Sequence, residues 1–473
     1  MEEIDRRRFF GASLSAGAVV LGSASSAARG KKQEELVPIS DEPVTADDWH
    51  ALRGMAEDVY AKNRVTLAGG TFHMPSRDLY ISLFGWDSGW HAITMSRLDP
   101  QIAASEIEML LNQQTENGRV PHETLFEEIE IRSSLKHFLA VHMGQRQYDE
   151  QNRSAFIDPP SYMVAAEKVF ARTNDREWLG RILPRLERCA HYLTHDRDLF
   201  GDGLVSVVHP WETGTDSSPA YDEILKLKFK TPFDAARRGL MYPAMINRHA
   251  DLGWDIKRIA EKNEFVLEDI AFNSITIRGL ISIARLNQAL GNRDKARAFR
   301  EQAQGMIEAI NRINWDEDDG CYFSRYDLKS PGLARRTTCS SMLPLFTGLI
   351  SRDKADRIIR EHLLNPEEFW LSYVVPFNAE DEMEKKVYLE DLLLWRGHCI
   401  WTNMNWMMTE GLLAYGYQEE ARELVRRTAK MIRHEGFREF YDSRTGRGKG
   451  ATNFNWPGLI LDMICTTWPE ALP

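Results

Sequence analysis

At 473 residues, 43% hydrophobic and 27% charged, the chain has globular composition and room for one large domain or two to three average ones. Lys+Arg 59 against Asp+Glu 70 leave a formal charge of -11, which provides no electrostatic footprint for nucleic acid or an anionic membrane. The scattered cysteines Cys189, Cys321, Cys339, Cys399 and Cys465 never form a CxxC arrangement, so they read as buried small residues or at most one or two disulfides, not a zinc site.

The chain opens with Asp5-Arg6-Arg7-Arg8-Phe9-Phe10, the small-residue apolar run G-A-S-L-S-A-G-A-V-V-L-G-S, and then S-S-A-A-R-G. Twin arginine, apolar region and a small-residue cleavage site near Ala28 follow in the order of a twin-arginine export signal. Residues 1–30 are expected to be that signal, 31–44 a polar linker and 45–473 one domain, exported to the periplasm or the medium. No later stretch approaches the ~20 consecutive apolar residues of a membrane span.

The segment T-A-D-D-W-H-A-L-R-G-M-A-E-D-V-Y-A-K-N-R starts on Thr/Asp and places Trp49, Leu52, Met55, Ala56, Val59 and Tyr60 on one face, predicting a capped amphipathic helix. The same period predicts helices over 99–114, 133–143, 160–171, 177–194, 240–252, 269–290, 293–313, 353–363, 401–415, 419–434 and 457–465. Long connections rich in Gly, Pro, Trp and acids lie at 68–85, 117–128, 196–222, 316–329 and 436–456. Loops of that length inside a compact chain tend to be functional. Helices of hairpin length interrupted by such loops predict an all-α fold of stacked αα-hairpins. Six of them closed in a ring, an (α/α)6 toroid, use every helix and bring alternate loops to one mouth, with D-G-C-Y-F-S-R-Y-D-L adding a small β-hairpin.

Five segments concentrate aromatics with carboxylates: Y-I-S-L-F-G-W-D-S-G-W-H (80–91), N-Q-Q-T-E-N-G-R-V-P-H-E (112–123), H-P-W-E-T-G-T-D-S-S-P-A-Y-D-E (209–223), W-R-G-H-C-I-W-T-N-M-N-W (395–406) and F-R-E-F-Y-D-S-R-T-G-R-G-K-G-A-T-N-F-N-W (437–456). A sugar presents apolar C–H faces and dense hydroxyls, and its site needs aromatic platforms among acids, amides and arginines. Each residue also has a plainer role. Asp87 beside Trp86 reads as a helix cap, Gln114 and His122 as loop stabilisers, Trp395-Arg396 as a stacked structural pair, Asp216 as an Asx-turn and Glu439 as a solvated acid.

The order F-G-W-D-S-G-W-H-A-I, Q-x-x-x-G-x-V-P-H, P-W-E-T-G-x-D-x-S-P-x-Y-D, W-R-G…W-T-N-x-N-W and F-R-E-F-Y-D-x-x-T-G-x-G…F-N-W resembles family 63 glycoside hydrolases from about Trp49 to the C-terminus. The likeness is to compact bacterial members that act on mannosylglycerate and glucosylglycerate and, more distantly, to trehalases. It implies the (α/α)6 barrel and hydrolysis of α-glycosidic bonds with inversion, with Asp216 in G-T-D-S-S-P as general acid and Glu439 in F-R-E-F-Y as general base. Inversion needs one carboxyl to protonate the leaving oxygen and one to activate water on the opposite face, roughly 6.5–9.5 Å apart, and calls for no metal or organic cofactor. Trp86, Asp87, Gln114, Trp211, Glu212, Trp395 and Arg396 are implied to hold the non-reducing sugar, and Tyr80 to lie near the acceptor. Phe84, His122, Gly214, Arg237, Trp401 and Trp456 complete the expected substrate contacts.

Some positions depart from the family pattern. Ser217 follows the acid where Asn is common, and Ile157-Asp158-Pro159-Pro160 replaces a Thr-Gln-Pro-Pro segment that supplies a pocket glutamine. His398 stands for a proline in the Trp395 loop, which is one residue longer. A-A-R-R-G-L-M-Y, with Arg237 out of step before Tyr242, replaces the Arg-Pro…Tyr segment that grips glycerate. The expected substrate is therefore a short α-glucoside or α-mannoside, a glycosylglycerate or a disaccharide, with an open acceptor subsite. The alternatives are a sugar isomerase using His91 and His122 as bases, and a non-catalytic carbohydrate-binding protein.

Overall fold

The computed structural model describes residues 36–126, 129, 145–228, 231–383 and 394–473. The expected export signal and the helix predicted over 133–143 lie outside the described residues.

Local sequence sets the helix starts. Thr45 and Asp48 form a reciprocal capping box on α1 (Ala46–Asn63). The cluster Gly85–Leu98 forms α2, and Asp99, followed by Pro100 at the first helical position, caps α3 (Pro100–Leu111). The chain continues through α4 (Ser161–Thr173), α5 (Arg176–His191), α6 (Ile270–Leu290) and α7 (Arg293–Ile313). Next come the short α8 (Pro344–Thr347), then α9 (Arg352–Arg357, continued by a wider turn Ile358–Leu363), α10 (Thr402–Ala414), α11 (Gln418–Glu435) and α12 (Ile460–Thr467).

Even-numbered helices form an inner ring. α2 packs on α4, α4 on α6, α6 on α8 and α8 on α10, while α12 and the turn Trp456–Leu459 before it close the circle between α10 and α2. Every residue of α2 from Gly85 to Ser96 is buried, as an inner wall demands. The odd-numbered helices are amphipathic: α7 buries only the stripe Ala296, Ala303, Met306, Ile307, Ala309 and Ile310. α1 packs on both α11 and α12, so the two ends of the chain make the sixth pair. This is the (α/α)6 toroid predicted.

Three short strands edge the mouth: β1 (Cys399–Ile400), β2 (Arg438–Asp442) and β3 (Gly448–Thr452), antiparallel in that order. The stretch 436–456, expected as loop, is thus mostly a hairpin. Its register breaks between Arg438↔Thr452 and Phe440↔Lys449, so Gly450 and Ala451 together face Glu439. A bulge of this kind turns a side chain out of the regular pleat. The segment 319–328, expected to fold on itself as a small hairpin, instead divides between two sheets: Cys321–Tyr322 pairs with the upstream Trp315–Asp316, and Arg325–Tyr326 pairs with Leu267–Glu268 and Gly332–Leu333. All five cysteines are free, with Cys189, Cys321, Cys339 and Cys399 buried, which removes the disulfide alternative. Among the described residues no helix is long and apolar enough to cross a membrane.

Candidate active site

The loops at the mouth enclose an open cavity of about 820 Å³. Both predicted carboxylates line it, Asp216 from the loop after the turn Pro210–Thr213 and Glu439 from β2. Tyr80, Phe84, Trp86, Asp87, His122, Trp211, Gly214, Trp395, Trp401 and Trp456 line it too.

Asp216 follows Gly214, whose left-handed φ of +72° ends the preceding turn; a Cβ there would stand 3.2 Å from the Trp86 ring. Tyr242, on the helix Pro232–Asp251, donates its hydroxyl to the Asp216 carbonyl. Burial pushes the Asp216 carboxyl above the usual carboxylate range, and the Arg238 guanidinium pulls it partly back. That environment favours the protonated acid.

Glu439 is 3% exposed and is held at both oxygens. Tyr80 donates its hydroxyl to Oε1 at 2.6 Å, and the Ala451 N–H donates to Oε2 at 2.7 Å. Both bonds treat the group as an acceptor, which suits a carboxylate. The bulge makes this close approach possible: a Cβ on Gly450, at φ +65°, would fall 2.4 Å from Glu439 Oε2.

Aromatic rings form the remaining walls. Trp395 and Trp401 stack at 3.9 Å and 12°, and Trp401 leans on Phe440 with centroids 5.1 Å apart. Trp456 donates Nε1–H to Asp87 Oδ1 at 2.7 Å. Burial pushes Asp87 up to about 8 against the pull of that bond, and burial holds His122 down at about 4, hence neutral. Asp87 sits within the first turn of α2, whose cap is Phe84, so it is a cavity group and not the helix cap.

Four expected contacts lie outside the cavity lining. Glu212 is fully buried and binds Arg197 twice, at 2.6 and 2.9 Å, while accepting from the Val208 and Ile157 amides. It fixes the loop that carries Asp216. Gln114 spends its amide on the carbonyls of Gly118 and Arg185, both at 2.9 Å. Arg237 is exposed and donates to the Lys226 carbonyl at 3.4 Å. Arg396 is buried and pairs with Asp222 behind the wall. His91, one base of the isomerase alternative, is fully buried against Glu106 at 3.0 Å and is absent from the cavity lining. The structure adds residues that the motifs do not single out, notably Glu123, Asp158, Arg438, Lys449 and Gly450.

The family described as mannosylglycerate hydrolase MGH1-like glycoside hydrolase domain matches residues 80–457, a span that begins at Tyr80 and takes in Trp456. The chain belongs to this family of glycoside hydrolases. A mannosylglycerate hydrolase from Rubrobacter radiotolerans is 28% identical over 86% of this chain and 97% of its own. The crystal structure of a GH63 mannosylglycerate hydrolase from Thermus thermophilus, in complex with Tris and D-glycerate, superposes with a TM-score of 0.74 at 26% identity, covering 88% of this chain and 100% of that one. A neutral trehalase from Saccharomyces cerevisiae, 17% identical, shares the fold at a TM-score of 0.56 over 87% of this chain and 80% of its own. Glycosidic-bond hydrolysis and the (α/α)6 toroid, both implied by the five ordered motifs, are therefore the activity and fold of this chain's family.

Proposed function

We propose that this glycoside hydrolase removes the non-reducing sugar of a short α-glucoside or α-mannoside with inversion, using Asp216 as general acid and Glu439 as general base. The observation that carries the reading is the contrast between two carboxyls in one cavity. Asp216 is pushed by burial towards its protonated form, and Glu439 accepts hydrogen bonds at both oxygens. In the reaction Asp216 donates its proton to the glycosidic oxygen as the C–O bond breaks. Glu439 takes a proton from the water that attacks the anomeric carbon from the opposite face. Asp216 ends ionised and Glu439 protonated, and solvent resets both. The stacked Trp395 and Trp401, with Trp456 beside them, offer the apolar platform a sugar ring needs.

A glycosylglycerate is the first substrate to test, since the relatives are named for mannosylglycerate and the Arg438 and Lys449 side chains at the cavity suit an anionic aglycone. Mannosylglycerate, glucosylglycerate and α-linked disaccharides are incubated with the protein, and the first-formed anomer is followed by proton NMR. The β-anomer is expected first; the α-anomer would overturn inversion. Asp216→Asn and Glu439→Gln should each lower turnover by roughly 10²- to 10⁴-fold with unfolding midpoints unchanged, and full activity in either variant would sink the assignment. The proposal includes export of the mature chain by the twin-arginine route. Replacing Arg6 and Arg7 by lysine should leave the protein in the cytosolic fraction.

A further inference from the structure

In the sequence Asp158 stands out only as a departure from a pocket glutamine, yet it lines the cavity and is 5% exposed. Its mount is rigid. Oδ2 accepts the Trp86 N–H at 3.0 Å, Ser161 Oγ donates to the Trp86 carbonyl at 2.6 Å, and Pro159 and Pro160 fix the backbone between them. The preceding Ile157 amide is held by Glu212 at 3.3 Å. Oδ1 has no hydrogen-bond partner among the described residues. His122 Nε2 lies 3.9 Å from it, and His122 Nδ1 is itself buried without a partner among the described residues.

A separation of 3.9 Å is too long for a hydrogen bond but fits one oxygen atom lying within normal hydrogen-bond distance of both groups. A hydroxyl is the group that can donate to one side and accept from the other. We propose that Asp158 and His122 together bind one hydroxyl of the non-reducing sugar, and that Asp158 is thereby a specificity-determining residue for the sugar this cavity takes. Burial, with Asp87, Asp216 and Glu123 around it, pushes the Asp158 carboxyl well above the usual range, so it meets that hydroxyl as a neutral acid with both a donor and an acceptor. A glutamine at this position would place an amide one methylene farther from the backbone. The pair would then read a hydroxyl at a different depth.

The inference takes its choice of sugar probes from the glycosidase reading, and binding is measured apart from turnover so that the two fail separately. D-glucose, D-mannose and their 2-, 3-, 4- and 6-deoxy derivatives are titrated into the wild-type protein, Asp158→Ala and His122→Ala by ligand-observed NMR. One deoxy derivative of the better-bound sugar should bind the wild type roughly 10- to 100-fold more weakly than the parent. Asp158→Ala should weaken the parent by a similar factor and show no further loss for that same derivative, and His122→Ala should be insensitive at the same position. A general disturbance of the wall through the Trp86 amide would weaken all derivatives alike and leave the deoxy difference intact, which overturns the pair. Wild-type binding of neither sugar, or Asp158→Ala binding indistinguishable from wild type, overturns it as well. Sugar binding that follows the pair without any glycoside hydrolysis would sustain this inference while refuting the proposed reaction.

Discussion

Gly450→Ala separates a catalytic role for the bulge from a merely structural one. The added Cβ would lie 2.4 Å from Glu439 Oε2 and 2.7 Å from Glu439 Cβ, closer than real Cβ contacts, at a backbone φ of +65°. The left-handed backbone alone costs a non-glycine residue about 1–2 kcal/mol, or a few degrees of melting temperature in a domain of this size. The steric term has no soft outlet, because Glu439 is fixed by β2 and by Tyr80 at 2.6 Å. Glu439 must shift, losing the Ala451 N–H bond, and a displacement of about 1 Å in a reacting group costs on the order of 10²-fold in rate. Gly291→Ala is the control: Gly291 ends α6 at φ +86° with nothing within 4 Å of its virtual Cβ. It should carry the same backbone cost and no kinetic one. Thermal unfolding and kcat/KM of both variants check the difference. Equal kcat/KM in the two would refute the claim that the bulge exists to aim the base.

Arg238→Gln removes the positive charge that opposes burial at Asp216, so the acid should hold its proton to higher pH and the alkaline limb of the kcat/KM profile should move upward; a limb that stays put or moves down contradicts the assignment. Glu212→Gln leaves the Arg197 guanidinium buried without its counter-charge. The expected loss is about 3–5 kcal/mol of stability by denaturant midpoint. A raised KM at unchanged stability would instead restore Glu212 to the sugar pocket.

Legibility in the sequence follows periodicity. Helix α7 occurs over the range its pattern predicts, because its outward face is polar and its inward stripe repeats every three to four residues. Helix α2, buried on all sides, carries no such contrast, and F-G-W-D-S-G-W-H reads as an aromatic loop before a helix. The hairpin holding Glu439 is hidden by its glycines, since G-R-G-K-G running into one strand weakens any β signal. Motif resemblance locates the loops but not the direction of each side chain. In P-W-E-T-G, Trp211 and Gly214 face the cavity while Glu212 turns back to Arg197, because three-residue turns scatter neighbouring side chains to different faces. Arg396 and Gln114 likewise sit in cavity-forming segments with their side chains turned to other partners. Asp158 is visible in the sequence only as an oddity, and its meaning comes from the oxygen that the fold leaves facing His122.

The ring closes at Asn455, and closure and catalysis meet there. Its side chain accepts from Asn63 at 2.8 Å and donates to the Met74 carbonyl at 2.9 Å, while its backbone bonds Pro75 and Tyr60 at 3.1 and 3.2 Å. These bonds join the start of the inner C-terminal element to α1 and the segment entering the mouth. The next residue, Trp456, is the donor to Asp87. Asn455→Ala leaves the buried Met74 carbonyl unsatisfied, at about 1–3 kcal/mol. Because the same turn carries Trp456, the loss should not remain structural: Asp87 would lose the side-chain hydrogen bond that favours its charged form. The expected result is a lowered melting temperature together with a raised KM for the sugar. Asn455→Asp retains an acceptor for Asn63 and should restore less than half of the stability, since it cannot donate to Met74. Lowered stability with an unaltered KM would show that the closure of the toroid and the placement of Asp87 are independent.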